Sequence, residues 1–148
     1  MTRRGRLHAY EVLLRVARVR ELRASLALAE AAAQENTCRT DRAEITAARD
    51  VVTTASRAST SDSSNLDVSR YEMLSNLDAM LAVKLHAASE ALVSAEMACR
   101  ERASASVSAK RYRERIDERV KEARGAMDLK CAAGRQEDAT ELWLGERA

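Results

Sequence analysis

The sequence contains no phenylalanine and no proline, and it has only one Trp, three Tyr and four Gly in 148 residues. Compact cores are usually built from aromatic and large aliphatic side chains, so this composition disfavours a conventional globular core. The scarcity of Pro and Gly also removes the residues that frequent turns require. What remains is rich in Ala, Glu, Arg and Leu, a profile typical of long helices and coiled coils.

Long apolar runs are also missing. No stretch of about 20 apolar residues occurs, so the sequence predicts no direct membrane insertion. The basic residues Arg3, Arg4 and Arg6 are followed by "EVLLRVARVRELR", which is too rich in Arg for the apolar region of a secretory signal.

The three cysteines, Cys38, Cys99 and Cys131, are odd in number, far apart and without a CxxC pair. This spacing predicts neither a disulfide framework nor a zinc site. Reduced, inert thiols in a cytosolic protein fit the pattern best.

Sequence signatures of catalysis are absent as well. There is no GxxxxGK[ST] phosphate loop, no HExxH and no GxSxG, and His8 and His86 lie far apart. We therefore expect no enzyme activity, no cofactor and no metal.

Two long helices are predicted from apolar periodicity. The first covers about residues 7–57, where apolar or small residues recur at three- and four-residue steps: Val12, Val16, Val19, Leu22, Leu26, Ala29, Ala33, Ala43, Ala47 and Val51. This pattern weakens between Asn36 and Thr40.

The second helix is predicted over about residues 65–131, with Ser64 as its N-cap, Asp67 in its first turn and Gly134 as its stop. Its apolar positions are Met73, Leu77, Leu81, Leu85, Ala88, Leu92, Ala95, Cys99, Ala103, Ile116, Val120, Ala123 and Met127.

The stretch between them, "SRASTSDSSNLD" (Ser56–Asp67), holds small hydroxylated residues whose side chains compete with helix for backbone hydrogen bonds. We interpret residues 58–64 as a bend. Since a short connection makes consecutive helices antiparallel neighbours, the predicted fold is all-α: a long antiparallel two-helix coiled-coil hairpin. The alternative is one continuous bent helix that dimerises.

Charge is distributed unevenly. Residues 1–23 carry +5 and residues 100–124 carry +4, whereas residues 61–99 carry −4. Folding about residue 62 pairs positions whose numbers sum to about 124, for example Val16 with Ala109, and brings the two basic segments together. Such a field steers an oppositely charged partner to one end. A solvated surface with i,i+4 pairs is the alternative.

This register also leaves part of the second helix without a partner. Ile116, Val120 and Met127 would form an unpaired apolar surface in a basic setting, suited to a partner protein. Alternatively, the N-terminal residues or the tail cover it. The tail, residues 135–148, is expected to be partly disordered or a short helix. Trp143 in it is either an interface anchor or a residue that packs back on the hairpin.

The length, the helical pattern and the N-terminal segment "MTRRGRLHAYEVLLRVARVRELRASLALAEA" resemble the FliJ/YscO family. These are small central-stalk proteins of bacterial flagellar and type III secretion export. The Arg- and Ala-rich composition looks most like the Hrp-type members.

The resemblance implies a cytoplasmic, non-enzymatic stalk or adaptor, peripheral to the inner-membrane secretion apparatus and associated with virulence. Its partners would be the hexameric export ATPase, the cytoplasmic domain of the export gate, and secretion chaperones. Mapped onto this sequence, the ATPase-binding residues would be Arg15, Arg18, Arg111, Arg113 and Arg115, with the apolar Ile116, Val120 and Met127.

Three other classes stay open. One is a stand-alone homo-oligomeric coiled-coil scaffold. Another is a basic helical nucleic-acid binder, although aromatic stacking platforms and DNA-binding motifs are missing and no nucleic acid is expected. The last is a secretion chaperone or a secreted helical substrate.

Overall fold

The predicted hairpin is confirmed. The computed structural model describes residues 3–61 and 67–146, and these contain two long helices packed against each other and no strand. Helix α1 spans Arg3–Ser61 and helix α2 spans Val68–Gly145. Within this part of the chain, no helix is apolar enough over a sufficient length to cross a bilayer.

Both helices extend beyond the predicted bounds. Residues 58–61, expected in the bend, belong to α1, and the Ser59, Thr60 and Ser61 hydroxyls donate to carbonyls three or four residues earlier. The hydroxyls are thereby satisfied along the helix. Residues 62–64 of the expected bend, including Ser64, lie outside the described residues.

Helix α2 begins later than expected, and Asp67 is its N-cap. The Arg70 amide donates to Asp67 Oδ1 at 3.1 Å, which satisfies one of the free N–H groups of the first turn. At the other end, Gly134 does not stop the helix. No described glycine has a positive φ, so the left-handed C-cap is not formed and α2 continues to Gly145. The segment expected to be a separate tail is the last part of α2.

The chain packs as two units. Unit 1 combines Met1–Leu26 with Ser104–Ala148, and unit 2 is Ala27–Ala103. In each unit the cross-helix pairs show the antiparallel order: Glu11 with Arg124 and Glu21 with Arg113 in unit 1, and Arg39 with Glu96 and Arg49 with Asp78 in unit 2. The residue numbers of these partners sum to between 127 and 135, whereas the predicted register has a sum of about 124. A given residue of α1 therefore faces a residue of α2 that is 3 to 11 positions later in the sequence than predicted.

The seam, the face with which each helix contacts the other, follows a strict seven-residue repeat. In α1 the repeat is buried or half-buried at Tyr10, Ala17, Ala24, Ala31, Cys38, Ile45, Val52 and Ser59. In α2 it is buried or half-buried at Asp78, Leu85, Leu92, Cys99, Ser106, Arg113, Val120, Met127 and Gly134. This is the heptad spacing of a coiled coil. Small residues occupy much of it, so little apolar area is buried per turn.

The predicted seam of α2 is right from Leu81 onward, but Met73 and Leu77 are exposed and Leu74 is buried instead. The predicted seam of α1 is wrong. All ten of its residues, from Val12 to Val51, are exposed, including Val16, which was expected to face Ala109. In the weak stretch Asn36–Thr40, four residues are exposed and Cys38 is the seam residue, buried with Leu92 and Ala95.

Candidate partner-binding surface

The two packed units differ in net charge, in line with the uneven charge seen in the sequence. Unit 1 has 17 basic and 11 acidic side chains, a net charge of +6, whereas unit 2 has 8 basic and 12 acidic side chains, a net charge of −4. Since α1 and α2 both contribute to unit 1, the two basic segments do come together there. A field of this kind attracts an anionic partner surface.

Four of the predicted arginines are exposed in unit 1: Arg15 and Arg18 on α1, and Arg111 and Arg115 on α2. Arg111 and Arg115 lie one turn apart and line a shallow concave surface with Ser108, Glu114 and Glu118. Side chains in this position can contact a carboxylate of a partner without disturbing the seam.

Arg113 lies differently from its neighbours. Its Nε donates to Glu21 Oε2 at 2.9 Å, and both side chains are only 28% exposed. The hydrogen bond and the charge of Glu21 raise the pKa of Arg113 above its ordinary value. Arg113 therefore joins α2 to α1 as a seam residue, and it offers less to a partner than Arg111 or Arg115.

The apolar residues expected beside these arginines do not form an unpaired surface. Val120 is 2% exposed, and Ile116 and Met127 are half-buried. The physical reason is the register: because facing residues in unit 1 sum to about 134, α1 reaches and covers these positions. Farther along α2, the side chains from Arg135 to Glu146 are all exposed.

Trp143 lies in this last part of α2 and is 53% exposed, between the exposed Leu142 and Leu144. It is helical and belongs to unit 1. A half-exposed Trp is compatible with an interface anchor, and this role stays a prediction.

Ion pairs hold two acids of unit 1, Glu11 and Asp117, in the charged form. A hydrogen bond from Arg124 lowers the pKa of Glu11, and one from Lys121 lowers the pKa of Asp117. The two carboxylates therefore remain ionised to lower pH than free ones. Their negative charge offsets part of the positive charge of unit 1.

Chemistry at the cysteines is limited. Cys38 is buried, and its sulfur accepts a hydrogen bond from Gln34 Nε2 at 3.7 Å. A hydrogen bond to Glu35, together with burial, raises the pKa of the Cys99 thiol, which keeps it in the unreactive protonated form. Among the residues that the structure describes, no group of three or more His, Cys, Asp or Glu side chains could hold a metal ion.

The sequence prediction missed one surface feature. The outward face of α1 in unit 1 carries five large apolar residues that are 43% to 60% exposed: Val12, Val16, Val19, Leu22 and Leu26. They had been assigned to the seam. A second heptad pattern in the same helix, which includes Leu7, Leu14 and Leu28, could have identified the true seam, because these residues face α2.

Comparison with known proteins gives no match: no family model, no curated protein and no solved structure resembles the chain closely enough to be counted.

Proposed function

We propose that this protein is a non-enzymatic coiled-coil adaptor of a type III secretion export apparatus, in which unit 1 binds the hexameric export ATPase. The observation that supports the proposal is the basic unit 1, where exposed arginines of both helices of a two-helix hairpin occur together. The resemblance to the FliJ/YscO family implies a hairpin with one end in the pore of the ATPase, and the basic unit 1 is the part of this chain that we map onto that end.

The proposed contact uses Arg15, Arg18, Arg111 and Arg115. An acidic lining of the ATPase pore would be attracted to these side chains over several ångströms, because unscreened surface charge steers association. Arg113 is excluded from the contact, since it is engaged by Glu21, and Val120 is excluded because it is buried.

The acidic unit 2 would then remain outside the ATPase and contact the cytoplasmic domain of the export gate, with secretion chaperones as further partners. In this role the protein works in the cytoplasm at the periphery of the inner-membrane apparatus. It needs no cofactor, since its task is to bind two partners.

Reversal of the two exposed α2 arginines tests the proposal. The double variant Arg111→Glu, Arg115→Glu should bind an export ATPase from the same genome about tenfold or more weakly than wild type, because two attractive contacts become repulsive. Binding is measured by calorimetric titration, and circular dichroism confirms unchanged helicity.

A matched control carries Lys84→Glu and Arg100→Glu, two exposed basic residues of α2 in unit 2. It makes the same change in net charge, and we expect it to keep wild-type affinity. Equal affinity of all three proteins, or no binding by wild type, would refute the proposed contact.

A further inference from the structure

Two exposed features of unit 1 have opposite charge. The first is the basic stripe, defined as Val12, Val16, Val19, Leu22 and Leu26 together with Arg15, Arg18, Arg20 and Arg23. All nine side chains are exposed. The acidic residue within this span, Glu21, is turned into the seam and bound by Arg113.

The second feature is the acidic segment, residues 136–146 of α2. It contains four acidic side chains and no basic one, and it includes the exposed Leu142, Trp143 and Leu144. At 1.5 Å per residue the acidic segment is about 15 Å long and the basic stripe about 21 Å, so the two are of similar length.

The basic stripe does not suit pairing with itself, because two copies would bring eight arginines together. Exposed apolar residues at helical spacing are suited to bind the apolar face of another helix, and the arginines require that helix to be acidic. In the acidic segment, Ala139, Leu142 and Trp143 are spaced by three and four residues, so they share one exposed face of α2. The segment therefore offers both an apolar face and negative charge.

Within one chain the two features stay apart. Glu11 Oε1 lies 2.7 Å from Arg124 Nη2, so the basic stripe begins level with that residue and runs away from the C-terminal end of α2. The acidic segment begins 12 residues beyond Arg124, about 18 Å farther in the opposite direction. The stripe also faces away from α2. The acidic segment that could reach it belongs to another molecule.

We infer that the basic stripe of α1 binds the acidic segment of α2 from a second copy of this chain. Two copies that exchange their segments would close into a dimer with two identical contacts. Because the stripe includes Arg15 and Arg18, self-association and the proposed binding to the ATPase would exclude each other.

Charge reversal on each side tests the inference. We expect the full chain to self-associate with rising concentration in sedimentation velocity, toward twice the 16.3 kDa chain mass. Arg15→Glu with Arg23→Glu, or Glu137→Lys with Glu141→Lys, should each weaken self-association about tenfold or more. All four side chains are exposed, so helicity should not change.

The decisive measurement combines the variants. A chain with all four reversals should self-associate again, and an equimolar mixture of the two double variants should form mixed dimers. A monomeric wild type at every concentration would overturn the inference. So would self-association that survives either double reversal, since a different surface would then be responsible.

Discussion

Val120→Asp is expected to destabilise unit 1 by at least about 3 kcal/mol, because it places a carboxylate where α1 and α2 meet. Val120 is 2% exposed and belongs to the heptad repeat of the α2 seam. The substitution removes apolar contacts and buries a charge in their place. Urea unfolding followed by circular dichroism gives the change in the free energy of unfolding.

The control for this variant is Val107→Asp, the same substitution in the same helix and the same unit. Val107 is 49% exposed, so its carboxylate would remain in water, and the free energy of unfolding should change by less than about 0.5 kcal/mol. Similar losses at the two positions would show that Val120 is not in the seam.

The second large effect distinguishes the two apolar faces of α1. Leu14 is 6% exposed and Leu22 is 60% exposed, and both lie in the first part of α1 within unit 1. Leu14→Ala should cost about 2–3 kcal/mol, since it leaves a cavity in the seam, whereas Leu22→Ala should change the free energy of unfolding by less than about 0.5 kcal/mol.

Thermal and urea unfolding of these two variants measure the difference. The sequence pattern alone predicts the reverse, because Leu22 belongs to the stripe that had been assigned to the seam. A larger loss for Leu22→Ala would therefore restore that assignment and contradict the structure.

Why the sequence predicts one helix better than the other follows from the residues. In α2 the leucines at 81, 85 and 92 lie on a single face, so periodicity alone identifies the seam. In α1 two faces have apolar residues at heptad spacing, and periodicity cannot tell which of them contacts α2. The true seam also contains the charged residues Glu21 and Arg49. A search for apolar periodicity therefore scores this face lower than the exposed one.

Those polar residues become understandable only from the packed helices. Glu21 is paired with Arg113, and Arg49 Nε donates to Asp78 Oδ1 at 2.9 Å, so each polar residue has a partner on the opposite helix. Such pairs depend on register, and the register depends on where the chain turns. Because the turn was predicted several positions too early, Val120 was predicted to lie in an unpaired surface, although it is buried.

The net charge of the candidate site could be predicted from the sequence, but which of its arginines face solvent could not. Net charge along the sequence is sufficient to show that residues 1–23 and 100–124 form a basic region once the chain is folded as a hairpin. It does not separate Arg113, which faces α1, from Arg111 and Arg115, which face solvent. That distinction needs the helix face, which is set by packing.

The central claim is that α1 and α2 lie antiparallel with Glu21 facing Arg113, and an intramolecular distance tests it most directly. Spin labels at the exposed positions 20 and 115 of a chain whose three cysteines are replaced, diluted with unlabelled chain, can be measured by pulsed electron resonance. The structure predicts a separation of about 20 Å, since packed helices lie 8–10 Å apart and the label arms add the rest. A single continuous helix would put the labels about 140 Å apart, and a separation well beyond 20 Å would contradict the hairpin.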